Sequence, residues 1–139
     1  MAIHFTKEEF TERQQKTIEQ LKSRQLDGLL MFRQESMYYL SGYDSFGHVF
    51  FQCLFLDLNG NLMLLTRAPD LRQARHTSVL EDIRIWQDSA EADPAVQLRQ
   101  ILEEFGCQGK RLGVEYDAYG LTAKNGKLLD AALADFCDL

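Results

Sequence analysis

Proline, histidine and cysteine are all scarce in this chain of 139 residues. Two prolines and 9 glycines exclude a linker or a low-complexity segment. The cysteines, Cys53, Cys107 and Cys137, form no C-x-x-C pair and no zinc spacing. Buried free thiols in a reducing cytoplasm are therefore the expectation. His4, His48 and His76 are widely separated, and the H-E-x-x-H pattern is absent. Basic charge is short too, with 15 Lys and Arg against 21 Asp and Glu, a net charge of −6. Residues 1–70 carry 7 basic and 9 acidic groups, and residues 71–139 carry 8 and 12. Neither half has a basic tract to neutralise a run of phosphates, which excludes nucleic acid as an expected partner. Long apolar runs are missing as well. The most apolar stretch, Val49 to Leu58, is interrupted by Gln52 and Asp57 and is too short to span a bilayer. Met1 to Lys7 lacks a basic region followed by an apolar one, so no signal peptide is read there.

What is present fits one soluble domain with a core of its own: 16.0 kDa, 45% hydrophobic and 26% charged. Thr6-Lys7-Glu8-Glu9 is a capping box, with Phe5 and Phe10 at hydrophobic-staple positions. The helix it opens runs to about Arg24 and places Phe10, Thr17, Ile18 and Leu21 near one face. Asp27-Gly28 turns into the continuous apolar run Leu29 to Phe32, which suits a strand covered on both sides. A short helix from Glu35 to Leu40 ends at Ser41-Gly42, and Tyr43 to Gly47 form a loop. Two apolar runs, His48 to Leu58 and Asn61 to Arg67, meet around Asn59-Gly60, a hairpin signal. Pro69 to His76 reads as helix, Asp82 to Trp86 as strand, and Asp93-Pro94 as the opening of a helix that stops at Gly106. Arg111 to Tyr116 is the last strand, and Thr122 to Phe136 the last helix, weakened by Asn125-Gly126. Strands alternating with helices predict an α/β fold: a mixed, largely parallel sheet with one antiparallel hairpin, flanked by helices on both faces.

Common catalytic signatures are missing. There is no G-x-G-x-x-G, no G-x-x-x-x-G-K-[ST] and no G-x-S-x-G. Ser45 has His48 three residues on, but no third group to orient the pair; a small stand-alone hydrolase using them is the outlying alternative. Glu8-Glu9 and Glu103-Glu104 read as solvated helix faces. Trp86 reads as core or edge packing. Tyr38 and Tyr39 are expected to pack the short helix onto the sheet. Arg67, Asp70, Arg72 and Arg75 read as an exposed helix face with internal ion pairs, or as a dimer contact. Phe46 stands apart, in a polar loop with Tyr43, Asp44 and His48, where an aromatic can anchor a partner or substrate. Glu115 and Asp117 flank the end of a strand, where open α/β sheets bind ligands; helix capping by Asp117 is the simpler role. The residues alone give no convincing catalytic set.

Five segments in order carry a resemblance: the opening helix with Arg13, "LDGLLMF" (26–32), "SMYYLSGYD" (36–44), "CLFLDLNGNLMLLTR" (53–67) and "RLGVEYDAYGLTAKNGKLL" (111–129). Together they resemble the N-terminal domain of the creatinase/prolidase/aminopeptidase P family, over nearly the whole chain. The resemblance implies that residues 1–139 are that domain, and that the catalytic pita-bread domain is absent from this chain. In the family that second domain holds two divalent metal ions through two aspartates, a histidine and two glutamates, so no cofactor is expected here. Asp82 and Asp93 have the aspartates' spacing by coincidence, since no histidine follows His76.

The resemblance further implies a non-catalytic domain of an Xaa-Pro dipeptidase, aminopeptidase P or creatinase-like hydrolase in the cytoplasm. Its partners would be its own C-terminal catalytic domain, a second copy in a homodimer, and a peptide or small amide substrate. Tyr43, Asp44, Phe46 and His48 are the candidate substrate-rim residues. No arginine lies between Arg33 and Arg67, which argues against creatine as the substrate. The alternative is a peptide- or protein-binding module that has lost the enzyme function.

Overall fold

The computed structural model describes residues 5–45, 50–87 and 91–139. Thr6 caps helix α1 (Lys7–Ser23) by accepting from the Glu9 amide at 3.1 Å, and Phe5 meets Phe10 edge to face at 6.0 Å. The Thr6 half of the capping box and the staple thus form as expected, while the Glu9 carboxylate faces Arg13. Phe10, Ile18 and Leu21 are its buried stripe.

Strand β1 (Gly28–Met31) leads into α2 (Gln34–Ser41), which stops at Gly42 in the left-handed conformation, φ 83°. The hairpin is β2 (Cys53–Asp57) and β3 (Leu62–Arg67). Its turn is tied by the Asp57 carboxylate, which accepts from the amides of Asn59 and Asn61 at 2.9 Å each and from Asn61 Nδ2 at 2.7 Å. A 3-10 turn (Ala68–Asp70) built on Pro69 precedes α3 (Leu71–Thr77). Strand β4 (Asp82–Trp86) and α4 (Pro94–Glu104) follow, the latter capped by Asp93 on the Val96 amide. Strand β5 (Leu112–Val114) and α5 (Ala123–Leu133), capped by Thr122, complete the chain.

The five strands lie in the order β4-β3-β2-β1-β5. β1 pairs parallel with β5, and β3 with β4, while β2 is antiparallel to both of its neighbours. Four strands therefore point one way and β2 alone points back. The mixed sheet flanked by helices matches the expectation from sequence. Among the described residues the expected strand of residues 48–58 is confined to Cys53–Asp57, which pairs with β1 from Leu54 and with β3 from Cys53. The last helix ends at Leu133 rather than Phe136.

Both faces of the sheet are covered. On one side Leu30, Phe55 and Leu65 pack with Leu98, Leu102 and Leu129 of α4 and α5. On the other, Met31, Leu54 and Leu64 pack with Ile18, Met37 and Ala74 of α1, α2 and α3. Adjacent strand residues serve opposite cores, which explains runs that are apolar without alternation. Cys53 and Cys107 are buried in the first core. Burial pushes the Cys107 thiol up to about 11, and burial raises Cys53 further still.

Tyr38 and Tyr39 do not face the sheet. Met37, Leu40 and Ser41 are the buried residues of α2, and Tyr39 is half exposed. The two tyrosines meet α1 instead. The Arg13 guanidinium lies 4.7 Å from the Tyr39 ring centre and 4.2 Å from that of Phe5, and donates to the Tyr39 carbonyl at 3.0 Å. Tyr38 touches Phe5. Gln14 Nε2 donates to the Leu40 carbonyl at 2.9 Å, so the α1–α2 joint is a cation–π stack plus two hydrogen bonds.

Two predictions come from this framework. An ideal Cβ on Gly42 would sit 2.7 Å from the Thr77 carbonyl oxygen, whereas one on Gly60, φ 88°, meets nothing within 4 Å. Gly42→Ala should cost at least about 2 kcal/mol of unfolding free energy and Gly60→Ala about 1, read from urea midpoints. Second, a thiol whose value rises on folding binds its proton more tightly in the folded state. Its stabilisation is complete below pH 9 and lost as pH rises toward 11. Stability should fall across that window, and Cys107→Ala should flatten the fall in melts at stepped pH.

Candidate functional site

The carboxyl ends of β1, β3, β4 and β5 share one edge of the sheet, and β2 begins there because it runs the other way. Loop segments after α2, β3 and β5 meet at this edge. They make two adjoining polar groups.

The first group surrounds the base of the α2–β2 loop. Tyr43 is completely buried, and its hydroxyl donates to Gln52 Oε1 at 2.9 Å, with Thr66 Oγ1 3.4 Å away. Burial raises the Tyr43 hydroxyl above its ordinary value, which keeps it a donor. Gln34 Nε2 donates to the Tyr43 carbonyl at 2.7 Å. The Asp44 amide donates to Thr77 Oγ1 at 3.0 Å, while the Asp44 side chain is exposed. Ser45 Oγ donates to Asp70 Oδ1 at 2.8 Å, and Asp70 Oδ2 faces Arg67 Nε at 3.4 Å.

The second group is a crevice of about 620 Å3 between the β1–α2 turn and the β5–α5 loop, lined among others by Arg33, Glu35, Asp117 and Tyr119. β1 and β5 are adjacent and parallel, and the helices that follow them lie on opposite faces. That is the switch-point arrangement at which open α/β sheets form crevices. Glu115 is not available to a ligand there. Its Oε1 accepts from the amides of Phe32 and Arg33 at 3.1 Å each, and its Oε2 from Ser36 Oγ at 2.5 Å. A carboxylate one residue beyond β5 thus caps the start of α2, which has no cap on its own Arg33. Asp117 caps no helix, since Thr122 caps α5. Gln34 joins the groups, lining the crevice and holding Tyr43.

Of the four rim residues expected from sequence, Phe46 and His48 lie outside the described residues. Asp44 is exposed at the edge. Tyr43 holds the loop from beneath instead of presenting its ring, because its side chain is enclosed and its hydroxyl engaged. Arg72 and Arg75 are exposed as expected, but Asp70 is only 8% exposed. Asp70 lies in the 3-10 turn on Pro69 and Arg67 at the end of β3, where it is only partly exposed, so the reading of an exposed helix face is corrected at these two residues, while their internal ion pair is present. Sequence reasoning also missed Gln34, Gln52 and Thr66. A glutamine inside an apolar run at 50–58 was the available signal for Gln52.

Among the described residues, no three of the His, Cys, Asp and Glu side chains converge as a metal site. Asp93 is spent on a cap and Asp82 on Arg84, at 2.6 Å. The described donors do not fit a dinuclear centre.

Fold and edge together define a mixed α/β domain that presents a braced polar loop at the carboxyl end of its sheet. A family model described as the Creatinase/Prolidase N-terminal domain matches residues 13–139, and the chain belongs to that family. It is 28% identical over 138 residues to the uncharacterized hydrolase/peptidase y4tM of Sinorhizobium fredii, covering 94% of this chain and 35% of that protein. It is also 28% identical over 131 residues to the ectoine hydrolase of Halomonas elongata, covering 89% and 33%. The chain therefore spans about a third of the length of the curated relatives it matches. Its fold is that of an Xaa-Pro aminopeptidase structure from Streptococcus pyogenes, with TM-score 0.73 and 18% identity, over 96% of this chain and 92% of that one.

Removing the Glu115 carboxylate strands two backbone amides and a hydroxyl at the start of α2. Glu115→Ala should cost about 1–3 kcal/mol, and Glu115→Gln less, since it still accepts. Urea midpoints that leave the alanine variant level with the parent chain would contradict this role.

Proposed function

We propose that this chain is the non-catalytic N-terminal domain of a metal-dependent amide hydrolase of the Xaa-Pro dipeptidase, aminopeptidase P or creatinase-like kind. On this reading it contributes to dimerisation and to the rim of the partner subunit's active site. The observation that carries it is the match across residues 13–139 set against hydrolase relatives about three times as long. The chemistry then belongs to the two thirds of those relatives that this chain does not span, and two divalent metal ions belong with it. The rim is formed by Asp44, Phe46 and His48, with Tyr43 setting their base. An exposed carboxylate between two buried neighbours, Tyr43 and Ser45, supports that assignment. Free thiols at Cys53, Cys107 and Cys137 fit a cytoplasmic protein.

The reading frame beyond Leu139 is expected to encode two aspartates, then a histidine and two glutamates. The longer protein should hydrolyse an Xaa-Pro dipeptide or a small amide in the presence of a divalent metal. The purified 139 residues should retain no stoichiometric metal by elemental analysis and give no turnover. Metal-dependent hydrolysis by the 139 residues alone would sink the proposal.

A further inference from the structure

Two chains of contacts cross the base of the α2–β2 loop. The inner one is neutral and enclosed: Tyr43 on the entering side bonds Gln52 on the leaving side. The outer one is charged. Ser45 Oγ donates to Asp70 Oδ1, Asp70 Oδ2 faces Arg67 Nε, and the Arg67 guanidinium lies 3.6 Å from the centre of the Phe50 ring. Ser45 and Phe50 are the described residues on either side of positions 46–49. A single carboxylate therefore holds one side of the loop directly and the other through one arginine.

The cost of this arrangement argues for a purpose. Asp70 is the residue before α3, where an aspartate ordinarily accepts from the helix's free amides. It makes no such bond, and its carboxylate turns to Ser45 and Arg67 instead. Its side chain is 11% exposed and that of Arg67 is 15% exposed. A buried pair of this kind adds little stability over apolar residues of the same size, whereas leaving one partner alone is costly. Neither residue belongs to the two apolar clusters.

We propose that Asp70 is a positioning residue that fixes both ends of the loop spanning 46–49. The geometric half of this inference stands by itself. Its functional half, that the clasp sets how the loop meets a substrate, rests on the rim reading given above. Asp70 touches no substrate; it acts through Ser45 and through Arg67 and Phe50. Holding Ser45 keeps its exposed neighbour Asp44 in place before binding, so loosening it removes binding shared by ground and transition states.

The test has two arms. In the first, amide hydrogen exchange is followed by mass spectrometry on the 139-residue chain. Asp70→Ala should speed exchange in peptides covering 44–52 by about tenfold, with peptides from α1, β1 and α4 unchanged. Ser45→Ala removes the hydroxyl that donates to Asp70 and also bonds Tyr43, leaves the Asp70–Arg67 pair intact, and should give a smaller increase in the same peptides. It keeps the test open if Asp70→Ala does not fold. Exchange at 44–52 equal to that of the parent chain, or a rise spread evenly over the whole sheet, overturns the clasp. In the second arm, Asp70→Ala in the longer hydrolase should raise KM several-fold with kcat nearly constant. If the loop loosens in the first arm while KM stays fixed in the second, the clasp stands and the rim reading falls.

Discussion

The sheet has no free face, and that constraint governs what its strands may carry. With helices above and below, a residue on β1, β2 or β3 enters one apolar cluster or the other. Leu30 and Met31 are neighbours in sequence and belong to opposite cores. A polar side chain in such a strand must bring its own partner, as Gln52 does with Tyr43 just before β2 and Thr66 does near the end of β3. Polar chemistry is thereby driven to the strand ends. The hairpin end takes Asp57 and its asparagines, and the carboxyl edge takes the rest.

This constraint also explains which parts of the fold could be read from sequence. Caps and turns are local devices, so Thr6, Asp93 and Asn59-Gly60 announced themselves, and the continuous apolar runs announced a sheet covered twice. What could not be read depends on direction. Tyr38 and Tyr39 are apolar enough for a core, but the inward positions of α2 are 37, 40 and 41, so both rings turn to α1 and Arg13. Asp70 sits among arginines, a pattern that ordinarily marks a solvated face, and a single 3-10 turn is enough to bury it. The length of β5 follows its pairing with β1 over Gly28–Leu30, which no local pattern records.

The candidate site was legible as a neighbourhood and not as a set of roles. The loop after "YYLSG" could be singled out because it mixes aromatics with ionisable residues. That Tyr43 works from below while Asp44 faces outward required the fold. Glu115 shows the same limit. Its place at a strand end marked it as a ligand-binding candidate, yet it is satisfied internally by two amides and a hydroxyl. Carboxylates at strand ends have two uses, and only their partners distinguish them.

The reversed direction of β2 has a consequence for how such domains diversify. Because β2 returns antiparallel, the segment between α2 and β2 leaves and rejoins the sheet at the same edge, and its two feet are held by the Asp44 amide on Thr77 Oγ1 and by Gln52 on the Tyr43 hydroxyl. A change of length between Ser45 and Phe50 would leave the register of every strand as it is. The domain is in that sense a socket. The fitting it carries can change while the wall behind it stays the same.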